Sequence, residues 1–293
     1  MAADNEYVQK GTLYVCGTPI GNLEDMTFRA IKVLEGVDLI AAEDTRRTIK
    51  LLNYFRINNR IESYHEHNES KKAKGLIKLL KEGKAIALVS DAGMPGISDP
   101  GQILIRHAIE EGIEVVPVPG PTAAVSALVV SGLDTGKFVF EGFLARKGRE
   151  RKEQLERIAA EPRTIIIYES PYRLKESLKE LQAYINNRKI ALVRELTKIH
   201  EEKLYGDISS VLSEIGDREI RGEIVIVIEG NKTGPADNNI LDEMDILTHV
   251  KLYMDQGKSK KEAIKKVAEE RAIPKSRVYK EAIAIDVDNG KDI

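Results

Sequence analysis

The chain has 293 residues, and its 45 lysines and arginines nearly balance its 47 aspartates and glutamates. A formal net charge of −2 excludes a protein whose whole surface attracts nucleic acid, so any such affinity must come from a local basic patch. No apolar run approaches the length of a membrane span, which argues against a helical membrane protein. The acidic first residues lack a hydrophobic signal core, and the single Cys16 cannot form an intramolecular disulfide. We therefore expect a cytoplasmic protein whose cysteine packs in a buried strand.

The first part of the chain alternates short apolar runs with amphipathic helical patterns. This alternation predicts a largely parallel sheet with helices on both faces. Residues 132–136 indicate a linker, and a second α/β unit follows it, so we predict two α/β domains over residues 1–134 and 135–231. The predicted strands cover residues 12–16, 37–42, 61–64, 85–89 and 113–118 in the first domain, and 137–143, 164–168, 190–196 and 223–229 in the second, where residues 203–206 can add another.

The composition changes at a polar stretch of turn-forming residues, 231–239. Beyond it only helical patterns remain, over residues 240–254, 260–271 and 276–285. Nine basic and three acidic residues lie between Lys258 and Lys280, a local net charge of +6. A solvated helical surface is one explanation, but the concentration of charge on a separate module favours contact with nucleic acid. We predict a small helical, helix-turn-helix-like module that binds RNA over residues 240–293.

The most informative stretch runs from Ser90 to Gly101, between an apolar strand and an amphipathic helix. It packs three glycines, two prolines and two aspartates into one loop. Glycine lets a backbone approach a ligand closely, and α/β proteins bind ligands at the carboxyl ends of their parallel strands. A tight structural crossover is the alternative. Two similar loops, at residues 17–22 and 117–124, favour a binding site, and none of the three matches a dinucleotide-binding or P-loop motif.

Charged residues also gather at predicted strand ends, at residues 42–47, 168–173 and 194–202. Each group can simply cap a helix, and Asp44 and Ser170 are suitable caps. Three such groups together with three glycine-proline loops favour one composite cleft. The five histidines are scattered, and the closely spaced pair, His65 and His67, would need further ligands to hold a metal, so we expect no metal site.

Six strings in order resemble those of the tetrapyrrole methylase superfamily: residues 17–22, 42–46, 90–101, 117–123, 168–171 and 195–198. The resemblance covers about residues 11–230. It implies two α/β domains with a cofactor cleft between them, S-adenosylmethionine as the cofactor, and a homodimer. Within the superfamily the chain resembles the branch that methylates the ribose 2′-oxygen of a cytidine in 16S ribosomal RNA of the small subunit. One departure is Ala145, where that branch often has proline, and it hardly affects the assignment.

The resemblance also identifies the candidate cofactor-binding residues, and the chemistry of the loops agrees with it. Methyl transfer from a sulfonium depends largely on positioning, and glycine-rich backbone offers hydrogen bonds without bulky side chains. The expected cofactor-binding residues are Thr18, Pro19, Ser90, Asp91, Ala92, Gly93, Ile97, Thr122, Ala123, Tyr168, Gly222 and Glu223.

A ribose hydroxyl is a poor nucleophile until a nearby group takes or binds its proton. Glu43 and Glu169 are the favoured bases. Arg46 and Lys198 would orient a phosphate or lower the effective pKa of the hydroxyl, and a desolvated Lys198 could itself be the base. The sequence leaves two further helpers open at the same strand ends, Asp44 and Glu195.

Two other functions fit parts of the sequence. A methyltransferase that acts on a carbon of a corrin precursor would share the loops but needs no basic helical module. A catalytically inactive RNA-binding protein would keep that module but has no need of charged groups gathered at strand ends. Binding of S-adenosylmethionine separates the inactive protein from both enzymes.

Overall fold

The computed structural model describes residues 7–232, 245–255, 258–271 and 273–282. The chain divides into two compact units, Met1–Asn231 and Lys232–Ile293. The first unit contains two five-stranded sheets, each the centre of one lobe. The predicted domain boundary after residue 134 falls between the two sheets and stays a prediction. No helix in the described ranges is long and apolar enough to cross a membrane.

The first lobe is built on a sheet of five parallel strands, as the alternating sequence pattern predicted. The three inner strands are buried along their whole length, which explains why their sequences are continuously apolar. Burial raises the pKa of the Cys16 thiol to about 12, so its expected packing role is confirmed. The strands are β1 (Leu13–Cys16), β2 (Leu39–Ala42), β3 (Ile61–Ser63), β4 (Ile86–Val89) and β5 (Val115–Val118), in the spatial order β3-β2-β4-β1-β5.

Helices cover both faces of this sheet because successive strand residues point to opposite sides. The first two helices pack on the face that carries Cys16, and the next two pack on the face that carries Leu13. A short 3₁₀ turn, Leu23–Asp25, follows the β1 loop. The helices are α1 (Phe28–Gly36), α2 (Thr45–Tyr54), α3 (Glu69–Lys81), α4 (Gln102–Glu110) and α5 (Ala123–Val130).

The second lobe contains a mixed sheet in which only the first two strands run parallel. The prediction of an added strand near residues 203–206 is confirmed. The predicted strand 190–196 instead ends at Arg194, because Glu195 and Thr197 have positive φ angles of 53° and 67° and begin a loop. The strands are β6 (Phe138–Phe143), β7 (Thr164–Glu169), β8 (Lys189–Arg194), β9 (Glu202–Asp207) and β10 (Ile224–Ile228), in the spatial order β6-β7-β10-β8-β9.

Three helices pack against the second sheet over a core of leucine, isoleucine and valine. The expectation that Ser170 caps a helix is wrong. The helix after β7 begins at Leu174, its N-cap residue is Arg173, and no side chain caps it. The helices are α6 (Gly148–Ala160), α7 (Leu174–Ile185) and α8 (Ile208–Ile215).

The regular elements described in the second unit are all helices, as predicted. Val250, Ile264 and Val278 come from its three helices and are buried together. The predicted linker residues 233–239 and the predicted helical residues 240–244 and 283–285 lie outside the described parts. The helices are α9 (Ile246–Asp255), α10 (Lys260–Glu270) and α11 (Lys275–Ala282).

Candidate active site

Two adjoining cavities occupy the cleft of the first unit. The larger, which we call the apolar cavity, has a volume of about 330 Å³ and lies between the two lobes. Its lining comes from the loops after β1, β4, β5, β6 and β7 and from the start of β10. This cavity is lined by Ile20, Ala92, Gly93, Met94, Ile97, Ser98, Asp99, Thr122, Ala123, Phe143, Tyr168, Glu169, Ser170, Pro171, Gly222, Glu223, Ile224 and Val225.

The second, which we call the polar cavity, has a volume of about 280 Å³. It shares Ile20, Ala92 and Glu223 with the apolar cavity, so the two spaces have a common wall. Three cations contribute to its lining. This cavity is lined by Thr18, Pro19, Ile20, Gly21, Leu23, Arg47, Thr48, Lys50, Leu51, Ser90, Asp91, Ala92, Lys198 and Glu223.

Backbone contacts hold the glycine-rich loops of the first lobe together. Thr18 and Gly93 exchange two backbone hydrogen bonds, at 2.9 and 3.0 Å, which tie the β1 loop to the β4 loop. The φ angle of Gly93 is 82°, a conformation that favours glycine. A Cβ atom built on Gly17 would lie 2.7 Å from the Cα atom of Gly120, so the β1 and β5 loops meet backbone to backbone. Only glycine allows this approach.

The structure brings all twelve predicted cofactor-binding residues to one cleft. Each of them lines the apolar cavity or the polar cavity. These residues therefore lie together, as the predicted composite cleft requires. Their role as cofactor ligands stays a prediction. The Gly93 backbone and the Tyr168 ring that line the cavity, with the half-buried Asp99 carboxylate, suit a ligand that combines apolar, polar and cationic parts.

The predicted residues at the end of β2 lie beside the cavities rather than in their walls. Oε2 of Glu43 accepts a hydrogen bond of 3.1 Å from the backbone N–H of Asp91. Burial raises the pKa of Glu43, and this hydrogen bond opposes the rise. Asp44 caps α2 and forms an ion pair of 2.7 Å with Arg46, whose side chain is 85% exposed. Arg46 therefore lines neither cavity.

Glu169 lines the apolar cavity, but its carboxylate is engaged inside the second lobe. The side chain is 0% exposed, and Oε1 lies 2.8 Å from Nη2 of Arg173. Oε2 accepts a hydrogen bond of 2.6 Å from the hydroxyl of Ser177. These contacts tie the end of β7 to Arg173 and to the first turn of α7. The geometry therefore does not favour Glu169 as a base.

Lys198 lines the polar cavity from the loop after β8. Its Nζ lies 2.8 Å from Oε1 of Glu195 and 3.2 Å from Oε2 of Glu223. Burial alone would lower the pKa of this ammonium, but its bonds to the two carboxylates outweigh burial and raise the pKa. Lys198 thus remains protonated at neutral pH, and the interpretation of this residue as a desolvated base loses its support.

Sequence reasoning missed three residues of the cavities. Arg47 and Lys50, not Arg46, are the α2 cations that line the polar cavity, and their spacing of three along the helix was the available signal. Asp99 lines the apolar cavity from the second half of the β4 loop. Burial, followed by the charge of Glu43, raises the pKa of Asp99 to about 6. A carboxyl that titrates so close to neutral pH is characteristic of functional sites.

The described residues contain no group of three or more His, Cys, Asp and Glu side chains that could hold a metal ion. The ring centroids of His65 and His67 lie 6.0 Å apart. His65 contacts Asn68, with Nε2 lying 3.0 Å from Nδ2 of that amide. These contacts are those of a polar loop.

Two α/β lobes with glycine-rich loops around a shared cleft are the architecture of a protein that binds a small ligand at the carboxyl ends of its strands. A family model described as Tetrapyrrole (Corrin/Porphyrin) Methylases matches residues 12–212. The chain belongs to the tetrapyrrole methylase family, which confirms the expected family. The family is one of S-adenosylmethionine-dependent methyltransferases, so the predicted class of enzyme and the predicted cofactor are confirmed as well.

Relatives similar over nearly the whole chain are named ribosomal RNA small subunit methyltransferase I. The protein from Bacillus subtilis is 47% identical over 271 residues, which are 92% of this chain and 93% of that protein. The protein from Escherichia coli O157:H7 is 45% identical over 285 residues, 96% of this chain and 97% of its own length. The protein of that name from Thermotoga maritima is 49% identical over 222 residues, which are 76% of this chain but 100% of that protein.

Solved structures support the fold. A diphthine synthase is similar with a TM-score of 0.60 and 12% identity over 74% of this chain and 89% of that chain. A uroporphyrin-III C-methyltransferase from Thermus thermophilus, solved with S-adenosyl homocysteine, has a TM-score of 0.54 and 17% identity over 74% of this chain and 97% of its own. Identities this low establish a common fold and leave the substrate open.

Proposed function

We propose that this chain transfers a methyl group from S-adenosylmethionine to the ribose 2′-oxygen of a cytidine in 16S ribosomal RNA of the small subunit. One observation carries the proposal: the apolar cavity and the polar cavity share a wall formed by Ile20, Ala92 and Glu223. A donor and an acceptor bound in adjoining spaces can meet in line, which is what a methyl transfer requires. The names of the relatives support ribosomal RNA as the acceptor.

The apolar cavity is the proposed cofactor site. When bound, S-adenosylmethionine supplies an electrophilic methyl group carried on a sulfonium. Gly93 presents bare backbone to the cavity, and the rings of Phe143 and Tyr168 pack edge to face with centroids 5.5 Å apart beside it. The carboxylates of Asp99 and Glu223 supply negative charge that suits a cationic ligand.

The polar cavity is the proposed site of the target nucleotide. The exposed Arg47 and Lys50 and the part-buried Lys198 contribute three positive charges to its walls. Nη1 of Arg47 lies 3.1 Å from the Asp91 carboxylate, which fixes the guanidinium next to the common wall. Cations there attract phosphate and orient the backbone of an RNA strand, without reading its sequence. Arg46, which the sequence analysis favoured for this task, is replaced in our proposal by Arg47.

The proposed proton acceptor is Asp99. It is the half-buried aspartate of the apolar cavity and does not line the polar cavity, so the ribose hydroxyl would have to reach it across the common wall. It lies close enough to Glu43, Asp91 and Glu223 to interact with their charges. A base works best when its pKa lies near the operating pH. The negative charge of Glu43 helps to raise the pKa of Asp99 toward neutral pH, so we assign Glu43 a positioning role. Lys198, held by Glu195 and Glu223, would keep the common wall in place beside the reacting hydroxyl.

We propose two surfaces for RNA, one in each unit. In the second unit Lys261, Lys265 and Lys280 are exposed on the described helices, on the outside of the apolar core. The Thermotoga maritima relative, at 222 aligned residues, is shorter than our first unit, Met1–Asn231. A protein of that length has no room for a second unit, so the first unit must also contribute contacts to RNA.

A homodimer in the cytoplasm remains our proposal for assembly and location. Val125 and Val129 are 49% and 70% exposed on α5, and Ile109 is 63% exposed at the end of α4. These three exposed aliphatic side chains would be suited to burial against a second copy of the chain. Sedimentation of the purified protein tests it, since a monomer at micromolar concentration would remove the dimer from the proposal.

Titration calorimetry with S-adenosylmethionine separates the enzyme from an inactive RNA-binding protein. We expect saturable binding at one site for each chain, with no requirement for added metal. A folded protein that shows no binding would reject the enzyme. Methylation of a tetrapyrrole carbon in place of RNA would favour the corrin-precursor enzyme and reject our substrate.

A further inference from the structure

A third cavity, of about 270 Å³, lies in the second lobe between the start of α6 and the face of α7. We call it the basic cleft. Five of its lining side chains are cations, Arg146, Lys147, Arg151, Lys152 and Arg173, and two are glutamates. Nothing in the proposed chemistry uses this cavity. Such an excess of positive charge around one concave space is typical of a site that binds a polyanion.

Two of the cations build the wall and are fully engaged. Arg151 is buried and donates a hydrogen bond of 2.8 Å to the carbonyl of Ala145, while its other nitrogens contact Glu180 and Ser177. Arg173 pairs with Glu169 and donates a hydrogen bond of 3.1 Å to the carbonyl of Leu144. These bonds fix the backbone just before the next two cations.

Arg146 and Lys147 follow this fixed segment directly and are exposed. Within the described parts of the chain, no carboxylate lies within ion-pair distance of either side chain. Lys147 is followed by Gly148, where φ is 85° and α6 begins without a side-chain cap. The amides and the positive dipole end of a helix of 13 residues add to the attraction for an anion.

One ion pair joins the basic cleft to the apolar cavity. Glu169 lines the apolar cavity, and its partner Arg173 lines the basic cleft; Phe143 of the apolar cavity stands three residues before Arg146 of the basic cleft. A strand whose target nucleotide reaches the polar cavity carries a phosphate at every nucleotide, so its neighbouring phosphates need cations close to the active site.

We propose that the basic cleft binds backbone phosphates of the RNA strand that carries the target nucleotide, with Arg146 and Lys147 as the main contacts. This inference rests on the proposed RNA substrate. The contacts are to phosphate, so they contribute affinity and register but no sequence preference.

The test compares Arg146→Ala/Lys147→Ala with the matched control Lys179→Ala, which removes an exposed lysine of the same lobe outside the cleft. Unmodified small ribosomal subunits and S-adenosylmethionine are the substrates. We expect the double variant to raise KM for subunits at least about fivefold, with kcat, Tm and the Kd for S-adenosylmethionine close to wild type. Loss of two phosphate contacts should also reduce the slope of log K against log salt by about 1.4 for single-stranded RNA.

The outcomes distinguish the inference from the proposed function. If the wild-type protein methylates subunits and the double variant has the same KM and the same salt slope, the basic cleft does not bind the RNA, and the proposed function stands. An equal loss in Lys179→Ala also overturns the inference, because the effect would then be one of general charge. A wild-type protein that neither binds nor methylates subunits overturns both.

Discussion

Nζ of Lys198 lies 3.2 Å from Oε2 of Glu223, at the wall that the two cavities share. The same ammonium lies 2.8 Å from Oε1 of Glu195, which also accepts the backbone N–H of Glu223 at 3.0 Å. One lysine thus ties together the residues just before β10 and offsets one of the two negative charges that a polyanionic substrate would otherwise face. Gly21 makes room for it, since a Cβ there would collide with Cγ of Lys198.

Replacement of this lysine should impair use of the RNA more than binding of the cofactor. We expect Lys198→Ala to lower kcat/KM for small subunits at least about tenfold, because two carboxylates would face the substrate without a cation. Lys198→Arg should recover part of the loss. Lys203→Ala is the control, since Lys203 pairs with Glu201 in the same lobe and lines neither cavity. Wild-type kinetics in Lys198→Ala would contradict the role of the shared wall.

The pH dependence of the chemical step should report Asp99. Burial and the charge of Glu43 raise its pKa to about 6, and a base acts only when ionised. The single-turnover rate should therefore rise with pH up to about 6 and level off above it. Asp99→Asn should remove this dependence and lower the plateau at least about tenfold. It should also raise Tm at pH 7, because a raised carboxyl pKa means that ionisation above pH 6 destabilises the folded state.

Two further carboxylates serve as comparisons in the same assay. Glu43→Gln should move the midpoint to lower pH, because it removes a negative charge that raises the pKa of Asp99. Glu169→Gln should chiefly lower Tm, since it removes the charge that pairs with Arg173 from a fully buried side chain, and should leave the midpoint in place. A pH dependence that survives in Asp99→Asn but disappears in Glu43→Gln or Glu169→Gln would assign the base to that other residue.

Cofactor binding should depend on the left-handed backbone of Gly93. Its φ angle is 82°, and a side chain there would also extend toward Ile20 in the apolar cavity. We expect Gly93→Val to abolish binding of S-adenosylmethionine in calorimetry. Gly83→Val is the matched control, because Gly83 has a φ angle of 86°, has no neighbour within 4 Å of its Cβ position and lies outside both cavities. If both folded variants bind the cofactor equally, the placement of the cofactor is wrong.

Removal of the second unit should separate RNA affinity from cofactor affinity. A chain ending at Asn231 stops where the first compact unit stops. We expect it to bind S-adenosylmethionine as the full chain does, but to show a higher KM for small subunits and a weaker salt dependence, because its lysine-rich helices are lost. If the shortened chain still methylates subunits but binds them more weakly, it would resemble the Thermotoga maritima relative, whose whole length aligns with only 222 residues of this chain. An unchanged KM would show that the second unit does not bind this RNA.

The sequence predicted the architecture because strands and helices of this kind have strong local signatures. The continuous apolar runs of β1 and β4 indicate strands buried on both faces, and the breaker-rich loops after them mark the cleft. The end of β8 was missed because Glu195 and Thr197 adopt positive φ, which nothing in their residue types indicates.

Side-chain engagement is the part of the site that the sequence could not predict. Glu169 and Asp99 are both acidic residues that line the apolar cavity, yet the carboxylate of Glu169 is bound to Arg173 and Ser177, whereas burial raises the pKa of Asp99 to about 6. Their partners lie on other elements, so the difference arises only in the folded chain. The sequence also could not show whether Arg46 or Arg47 lines the polar cavity, because that depends on the direction in which α2 leaves the sheet.

Methyl transfer from labelled S-adenosylmethionine to unmodified small ribosomal subunits tests the central claim most directly. The RNA is digested to nucleosides after the reaction, and the labelled product is identified by mass spectrometry. We predict a single labelled product, 2′-O-methylcytidine, from one position of 16S RNA, formed by the wild-type protein and at least about tenfold more slowly by Asp99→Asn. Label on a base carbon or nitrogen, or no label in RNA at all, would contradict the proposed function.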